Sequence, residues 1–565
     1  MKRTYYVLAV AIAVVALIPM ARAKDSAKPD AAKSPDVLKV TAQTVKLAEG
    51  LVRGLVVGEQ DEVHAYRGIP FAAPPVGDLR WRAPQAPASW TGVRECFEFG
   101  NASPQKPSPM LATFPGMKLD AATNEDCLYL NVWAPAKRDD KPLPVMVWIH
   151  GGGYVMGAAS QRLYDATDLA RRGVIVVGIN YRLGALGFLA HPELTAESEH
   201  KSSGNYGLLD QIEALRWVQR NIAAFGGDPQ RVTIFGESAG GGSVFSLLVS
   251  PLSKGLFQRA IAESGPTLNF VHLNKSHYGF KSAEELGLEF GKAVGAPEGT
   301  GQVAAMRKMS ADDLINGTPG MEEQRDFTIR GNLLRMAPVV DGWVIPDDPM
   351  TILAEGREHD VPLIVGANRD EGTMFTMMAK LPRSLDELKA KFTENLGDTH
   401  AAAIGELYPA TSLPQVRKAV TDFIGDFIFV APARFVARHA SGDQAPVYLY
   451  HCAHPPAGCS GKMLDAHHAA EVPYVLDNIE LGGADAPAVD RELRDALVGY
   501  WIQFATTGNP NRDGLVEWPA YNSGSDQSLL VEEKVSVTDG LRKPKLDAID
   551  AFMDTWRRES GVVKQ

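Results

Sequence analysis

An α/β fold, with a large and mostly parallel sheet flanked by helices, is what this 565-residue sequence predicts. Three observations carry the prediction. Apolar runs of strand length, such as Val145–Ile149, Val174–Ile179 and Val232–Phe235, alternate with stretches of helical periodicity such as Leu208–Phe225. The runs are continuous rather than alternating, as strands covered on both faces require. Glycine-rich turns close two of them, at His150-Gly151-Gly152-Gly153-Tyr154 and at Gly236-Glu237-Ser238-Ala239-Gly240-Gly241. Strand ends of this kind are where open α/β sheets place their sites.

Residues 1–23 read as a secretory leader. Lys2 and Arg3 supply the charged start, an apolar run follows to about Met20, and Ala21-Arg22-Ala23 is a small-x-small cleavage site before Lys24. The apolar run is short for a bilayer span of roughly 20 residues, so cleavage is expected, with no membrane attachment afterwards. Residues 24–43, rich in Lys, Ala, Asp and Pro, read as a flexible linker. A single domain is expected over 44–560. With 45% hydrophobic and 22% charged residues the composition is that of a globular protein. Its formal charge of −11, with basic residues scattered, argues against a nucleic-acid partner. Four cysteines in an exported chain suggest disulfides, Cys96 with Cys127 across a long loop and Cys452 with Cys459 across a short one, although four cysteines allow three pairings.

Along the chain, Thr44–Tyr66 has enough alternation for strands, and Arg67–Gly77 carries too much proline and glycine for a helix. Cys96–Glu125 is loop-like. Leu128–Trp133, Val145–Ile149 and Val174–Ile179 follow as strands, Leu208–Phe225 as a helix, and Gly226-Gly227-Asp228-Pro229 as a break. Val232–Phe235 is then a strand, Gly242–Leu248 a helix, and Gln258–Ala262, Leu363–Gly366 and Val447–Tyr450 later strands. Asp495–Thr506 is a helix near the C-terminus. Residues 270–335 and 375–440 are more helical and less regular, and read as insertions roofing a site.

A Gly-x-Ser-x-Gly turn between a buried strand and a helix holds its serine in a strained conformation at the apex. It lifts Ser238 above the sheet and leaves the Ala239 N–H at a helix start, aimed at a developing oxyanion. Gly152 and Gly153, after an upstream strand, offer further N–H groups to such a charge. A serine hydroxyl needs a base, and the base needs an orienting carboxylate. Two later strand ends offer them: Asn368-Arg369-Asp370-Glu371-Gly372, and Asp465-Ala466-His467-His468-Ala469-Ala470-Glu471. Side-chain chemistry alone leaves Asp370 or Glu371, and His467 or His468. Asp465, His467 and His468 also admit a metal reading, but with no zinc-enzyme spacing.

These segments, together with Arg67–Gly77, Glu125–Val132, Asn180-Tyr181-Arg182, Gly204–Gly241, Ala262-Glu263-Ser264-Gly265, His468–Val475 and Trp518–Tyr521, resemble the type-B carboxylesterases, the cholinesterase-like branch of the α/β-hydrolases. The likeness runs from about residue 44 to 522. It implies an α/β-hydrolase fold with helical insertions over the active site. It also implies a serine ester hydrolase without metal or cofactor, acting on small to medium, apolar or aromatic esters. Carried over position by position, Ser238 is the nucleophile, His468 the base and Glu371 the acid. The oxyanion hole falls on Gly152, Gly153 and Ala239, with Glu237 and Ser264 in support and His467 a bystander. The resemblance favours the Cys96–Cys127 bridge but does not cover Cys452–Cys459. Tyr154, Met156, Phe270 and the run Met374–Met378 are candidate pocket residues. The loop Phe97–Asp126 has no tryptophan, the residue on which cholinesterases hold a quaternary ammonium, so no choline preference is expected. An amidase or lactonase would use the same machinery. An adhesion-type homologue, which keeps the fold without the nucleophile, is disfavoured because all three triad positions are filled.

Overall fold

The runs read as strands line up in one 13-stranded sheet. The computed structural model describes residues 41–559, except 61, 109–110, 138–140, 266–270, 277–280, 318–335, 378, 443 and 483–484. The expected leader and nearly all of the linker therefore lie outside the described residues. The strands are β1 (Thr41–Lys46), β2 (Leu51–Val57), β3 (Val63–Pro70), β4 (Val93–Glu95), β5 (Tyr129–Pro135), β6 (Leu143–Ile149), β7 (Ile175–Ile179), β8 (Gly227–Glu237) and β9 (Arg259–Glu263). After a separate two-stranded pair, β10 (Val271–His272) with β11 (Val339–Val340), come β12 (Leu363–Asn368), β13 (Val447–Cys452), β14 (Gln527–Val531) and β15 (Val535–Asp539).

The spatial order is β1-β2-β3-β5-β7-β6-β8-β9-β12-β13-β14-β15, with β4 against β2. From β7 through β14 every neighbouring pair is parallel, whereas the pairs along β1-β2-β3-β5-β7 and at the β14–β15 edge are antiparallel; β4 runs parallel to β2. Period-2 geometry splits each central strand between two cores. Val145, Val147 and Ile149 of β6 face one core with Val232 and Ile234 of β8, while Met146, Trp148 and Phe235 face the other. Helices Tyr206–Asn221 and Ala239–Val249 cover the first face, and helix Ala488–Thr507 covers the second through Leu497, Tyr500, Trp501 and Phe504. Each such side chain contributes about 1.5–3 kcal/mol on burial.

Several boundaries differ from the sequence reading. β1 begins at Thr41, inside the stretch read as linker, because Ala42 packs into the core. Gly227 already pairs with Leu143, and a register shift follows before Val145 meets Val232, so the expected break is the irregular start of β8. β14, β15 and the helix Lys543–Glu559 complete the domain beyond the last motif of the resemblance. The expected Cys96–Cys127 bridge is corrected: both are free buried thiols. Cys96 is held by backbone hydrogen bonds to Arg53 and Arg67 after β4, whereas Cys127 stands two residues before β5, and both thiols lie in the same core. Burial pushes Cys96 up to about 12 and raises Cys127 as well. Cys452 is likewise a buried free thiol, against the expected Cys452–Cys459 pairing, and the Cys459 side chain lies outside the described residues.

Candidate active site

Parallel strands β8, β9, β12 and β13 are neighbours in the sheet, and the chain leaving each carboxyl end meets the others in one place. The turn after β8 is the sharpest. Ser238 stands at φ 57° and ψ −122°, then caps the helix Ala239–Val249. A left-handed serine costs on the order of 1–3 kcal/mol, and neighbouring backbone holds it there. Ser238 N–H donates to Glu263 O at 2.9 Å, and Gly242 N–H to Ser238 O at 2.8 Å. The flanking glycines are required by close approach. A Cβ on Gly240 would sit 2.0 Å from Ile149 O, one on Gly236 2.6 Å from the same oxygen, and one on Gly241 2.6 Å from Glu263 O. Ser238 is only half-buried, while its neighbours on both sides are buried.

The His150–Gly153 turn leaves β6 directly beside it, since Ile149 pairs with Gly236. A Cβ on Gly151 would lie 3.1 Å from Ser238 Cβ. Gly152 and Gly153 are left-handed, at φ 107° and 60°. His150, to which the sequence reading gave no role, is the prop of this turn. Its ring stacks on Tyr181 at 4.5 Å, its carbonyl accepts from Tyr181 Oη at 2.8 Å, and burial lowers its pKa to about 4. At the helix start, Ala239 presents an N–H without an intrahelical acceptor.

Of the two candidate carboxylates, Glu371 is the one on the imidazole. His468 Nδ1 donates to Glu371 Oε2 at 2.6 Å, while Glu371 Oε1 accepts from Asn368 N–H and Ser264 Oγ, each at 2.6 Å. Asp370 instead takes Arg369 Nε at 2.8 Å and ties the turn to the histidine loop through Ala466. Beyond the imidazole, Glu237 Oε1 approaches His468 Nε2 to 3.1 Å, without the alignment of a hydrogen bond, so Nε2 has no hydrogen-bond partner. His467 is buried, not solvated as a bystander would be. Its Nδ1 bonds the His468 carbonyl at 2.7 Å and its ring edge meets Phe114. Asp465, His467 and His468 do not converge, and no group of three or more His, Cys, Asp or Glu among the described residues is arranged to hold a metal ion.

Residues 41–549 match the family model described as the carboxylesterase family. The chain belongs to that family. It is similar to para-nitrobenzyl esterase of Bacillus subtilis (strain 168), 36% identical over 509 residues that span 88% of this chain and 96% of that one. Fumonisin B1 esterase of Sphingopyxis macrogoltabida is 38% identical over 503 residues, 86% of each chain. A solved PNB esterase structure superposes with a TM-score of 0.76 at 36% identity, covering 90% of this chain and 99% of that one. The fold is that of an α/β-hydrolase, and the protein is a carboxylic ester hydrolase for small-molecule esters.

The carboxylesterase site holds more buried acid than its motifs announce. Glu471 accepts from Ser264 Oγ and Tyr450 Oη, both at 3.3 Å, and from Asn368 Nδ2. Glu263 accepts from Trp501 Nε1 at 2.7 Å. With Glu237 and Glu371 that makes four buried carboxylates, three of which, Glu237, Glu371 and Glu471, act on the His468 imidazole. Burial opposes the His468 cation, but Glu237 and then Glu371 outweigh it and raise the pKa to about 9. Burial pushes Glu237 up to about 8 despite His468, and Glu471, beside Glu371, up to about 7. Burial and Glu471 hold the Glu263 carboxyl well above its ordinary range.

Of the expected pocket residues, Tyr154 is buried against Phe188 and Met374 is buried, whereas Met377 is exposed; Phe270 and Met378 lie outside the described residues. Phe375 stands 5.1 Å from the His468 ring. Phe429, unforeseen in the sequence, is nearer at 4.5 Å and stacks on Phe375 at 5.5 Å. It comes from the second helical insertion, which thus reaches the site. In the described part of the first insertion, the N–H groups of Gly301, Gln302 and Val303 donate to the Glu193 carboxylate.

Proposed function

We infer that Ser238, His468 and Glu371 form the catalytic triad of this ester hydrolase, with oxyanion donors at Gly152, Gly153 and Ala239. The observation carrying the reading is the 2.6 Å Glu371–His468 hydrogen bond, set beside a left-handed Ser238 at the turn after β8. In the first half-reaction Ser238 Oγ bonds the ester carbonyl carbon and gives its proton to His468 Nε2. The tetrahedral oxyanion rests on the three N–H groups. Collapse breaks the ester C–O bond, and His468 returns the proton to the departing alcohol. Water then attacks the acyl-enzyme with His468 again as base, releasing the acid and restoring Ser238. Glu371 fixes the tautomer that leaves the Nε2 lone pair free. Catalytic hydrogen bonds to the nucleophile often close only in the substrate complex, in keeping with an Nε2 that has no partner here. Glu237, on the same side of the ring, favours the imidazolium formed at each transition state. Phe375 and Phe429 beside the ring favour apolar or aromatic ester groups.

Ser238→Ala tests this reading. It is expected to remove hydrolysis of p-nitrophenyl butyrate and labelling by a fluorophosphonate while leaving the circular dichroism spectrum unchanged. The loss expected is about 10⁶-fold, the cost of a triad nucleophile in a comparable enzyme. Appreciable residual turnover overturns it. We further infer that the protein is exported and works in the periplasm or medium, which the leader pattern of residues 1–23 supports. Intact mass of the secreted protein should place its first residue at Lys24.

A further inference from the structure

The last part of the chain carries no motif, yet one of its side chains joins two segments that pack against the proposed triad. Arg542 sits between β15 and the helix Lys543–Glu559, at φ 53°. Its Nη2 donates to the Arg369 carbonyl at 2.8 Å, and its Nη1 pairs with the fully buried carboxylate of Asp426. Each contact leads to a different triad member.

Arg369 follows β12, two residues before Glu371. Its N–H donates to Cys452 O at 2.7 Å at the end of β13, and its Nε holds Asp370, whose backbone and side chain bond Ala466. The Arg369 carbonyl thus belongs to the shoulder that carries the acid and meets the histidine loop. Asp426 opens a π-helical turn, Asp426–Val430, a form that is rare and concentrates at functional sites. The residue before it, Gly425, packs flat on the acid, since a Cβ there would lie 3.2 Å from Glu371 Cβ. Three residues after it, Phe429 lies against His468. Tyr408 Oη donates to the other Asp426 oxygen at 2.8 Å, so both carboxylate oxygens are engaged and the turn is pinned.

We propose that Arg542 is a positioning residue for the triad, its guanidinium clamping the Glu371 shoulder to the turn that presents Phe429 to His468. It touches neither substrate nor the reacting atoms. It acts by fixing the separation between the two backbone segments that hold the acid and wall the base. A planar guanidinium suits this because it makes two donations in fixed directions, which an ammonium cannot reproduce. The C-terminal segment is on this view part of the catalytic apparatus as well as of the core. The inference rests on the Ser238–His468–Glu371 reading.

The test is steady-state hydrolysis of p-nitrophenyl butyrate by full-length Arg542→Ala, Arg542→Lys and wild type, with active sites counted by fluorophosphonate titration. A clamp of this kind predicts that R542A loses about tenfold to hundredfold in kcat per titrated site, with KM within about twofold. R542K should recover only part of the loss. Millimolar guanidinium should restore R542A without changing wild type, since Arg542 keeps some access to solvent. A role confined to folding would lower the number of titrated sites or the Tm while leaving kcat per site unchanged. That outcome, or rescue failing in an R542A of lowered kcat, overturns the proposal. Should R542A not accumulate, R542K and Arg542→Gln carry the same criterion. Wild-type hydrolysis that persisted in Ser238→Ala would instead refute the triad, independently of Arg542.

Discussion

Replacing Glu237 by glutamine removes one charge from the site at nearly constant shape, and the expected effect has a distinctive pH signature. Glu237 Oε1 lies 3.1 Å from His468 Nε2, and both residues are buried. With charge centres about 4 Å apart and an effective dielectric of 20, the attraction is about 4 kcal/mol, or about three pKa units. Part of this is not expressed, because the Glu237 carboxyl is itself held up to about 8 by burial and is uncharged over much of the acid limb. A fall of about one to two units is therefore expected, bringing His468 down from about 9. Its direction follows from the cause: removing an anion disfavours the imidazolium, so the base becomes available at lower pH.

The transition state also contains an imidazolium, and it loses the same support. On the alkaline plateau Glu237→Gln should lower kcat/KM by about tenfold to hundredfold, at about 1.4 kcal/mol per factor of ten. Below both pKa values the resting enzyme already carries the imidazolium, so ground and transition states lose equally and the two curves converge. The assay is kcat/KM for a neutral aryl ester from pH 5 to 10, with released phenol measured chromatographically. A midpoint of the acid limb that does not move to lower pH, or a loss equal at every pH, would refute Glu237 as the group that raises His468.

Three further outcomes are expected. His468→Ala should lower hydrolysis by at least about 10⁴-fold, whereas His467→Ala should stay within about tenfold in kcat/KM and show its burial as a lower Tm; equal damage from both would place the base wrongly. Gly240→Ala should lose both activity and stability, because its Cβ meets the Ile149 carbonyl at 2.0 Å and overpacking of that order costs about 1–3 kcal/mol or more; an active, equally stable variant would contradict the close packing of this turn. Butyrylcholine should be no better a substrate than its uncharged isostere 3,3-dimethylbutyl butyrate, given a loop 97–126 without tryptophan; a choline preference beyond about tenfold in kcat/KM, about 1.4 kcal/mol, would require another cation site.

What the sequence made legible follows from how local each cause is. Continuous apolar runs announced β5, β6, β7 and β8 because those strands are covered on both faces, and Gly236, Gly240 and Gly241 marked the turn because only a missing Cβ lets Ile149 and Glu263 backbone come so close. Residue types at strand ends narrowed acid and base to adjacent pairs. Choosing between Asp370 and Glu371 needed either the family likeness or the geometry, since both sit on one turn and differ in which way the backbone aims them. β14 and β15 were not read because the pair forms the antiparallel edge of the sheet, where β15 has no buried residue and so no continuous apolar run. The cysteine pairing was favoured by the family pattern, and here both cysteines are free thiols. Phe429 had no local signal at all: a π-helical turn rotates the chain out of the 3.6-residue register by which a helical face is read.

The acids show the same limit in another form. Glu263 ends an apolar strand and Glu471 sits two residues before a proline, positions where a lone carboxylate reads as a solvated strand end or helix start. Their roles arise because β8, β9, β12 and β13 are consecutive in space, so four buried carboxylates come together at one end of the sheet, three of them acting on His468. Four such charges cannot all be borne without water, and only His468 offers a cation within the cluster. Protons therefore stay on some of the carboxyls into the neutral range, as the raised Glu237, Glu263 and Glu471 show. Ser264, between Glu371 and Glu471, donates at 2.6 Å to the first and is 3.3 Å from the second. That asymmetry directs the Ser264 hydroxyl to Glu371, the carboxylate that faces His468. The hydrogen bonding that orients His468 is thus assembled from residues at several strand ends, a property of the sheet order rather than of any motif.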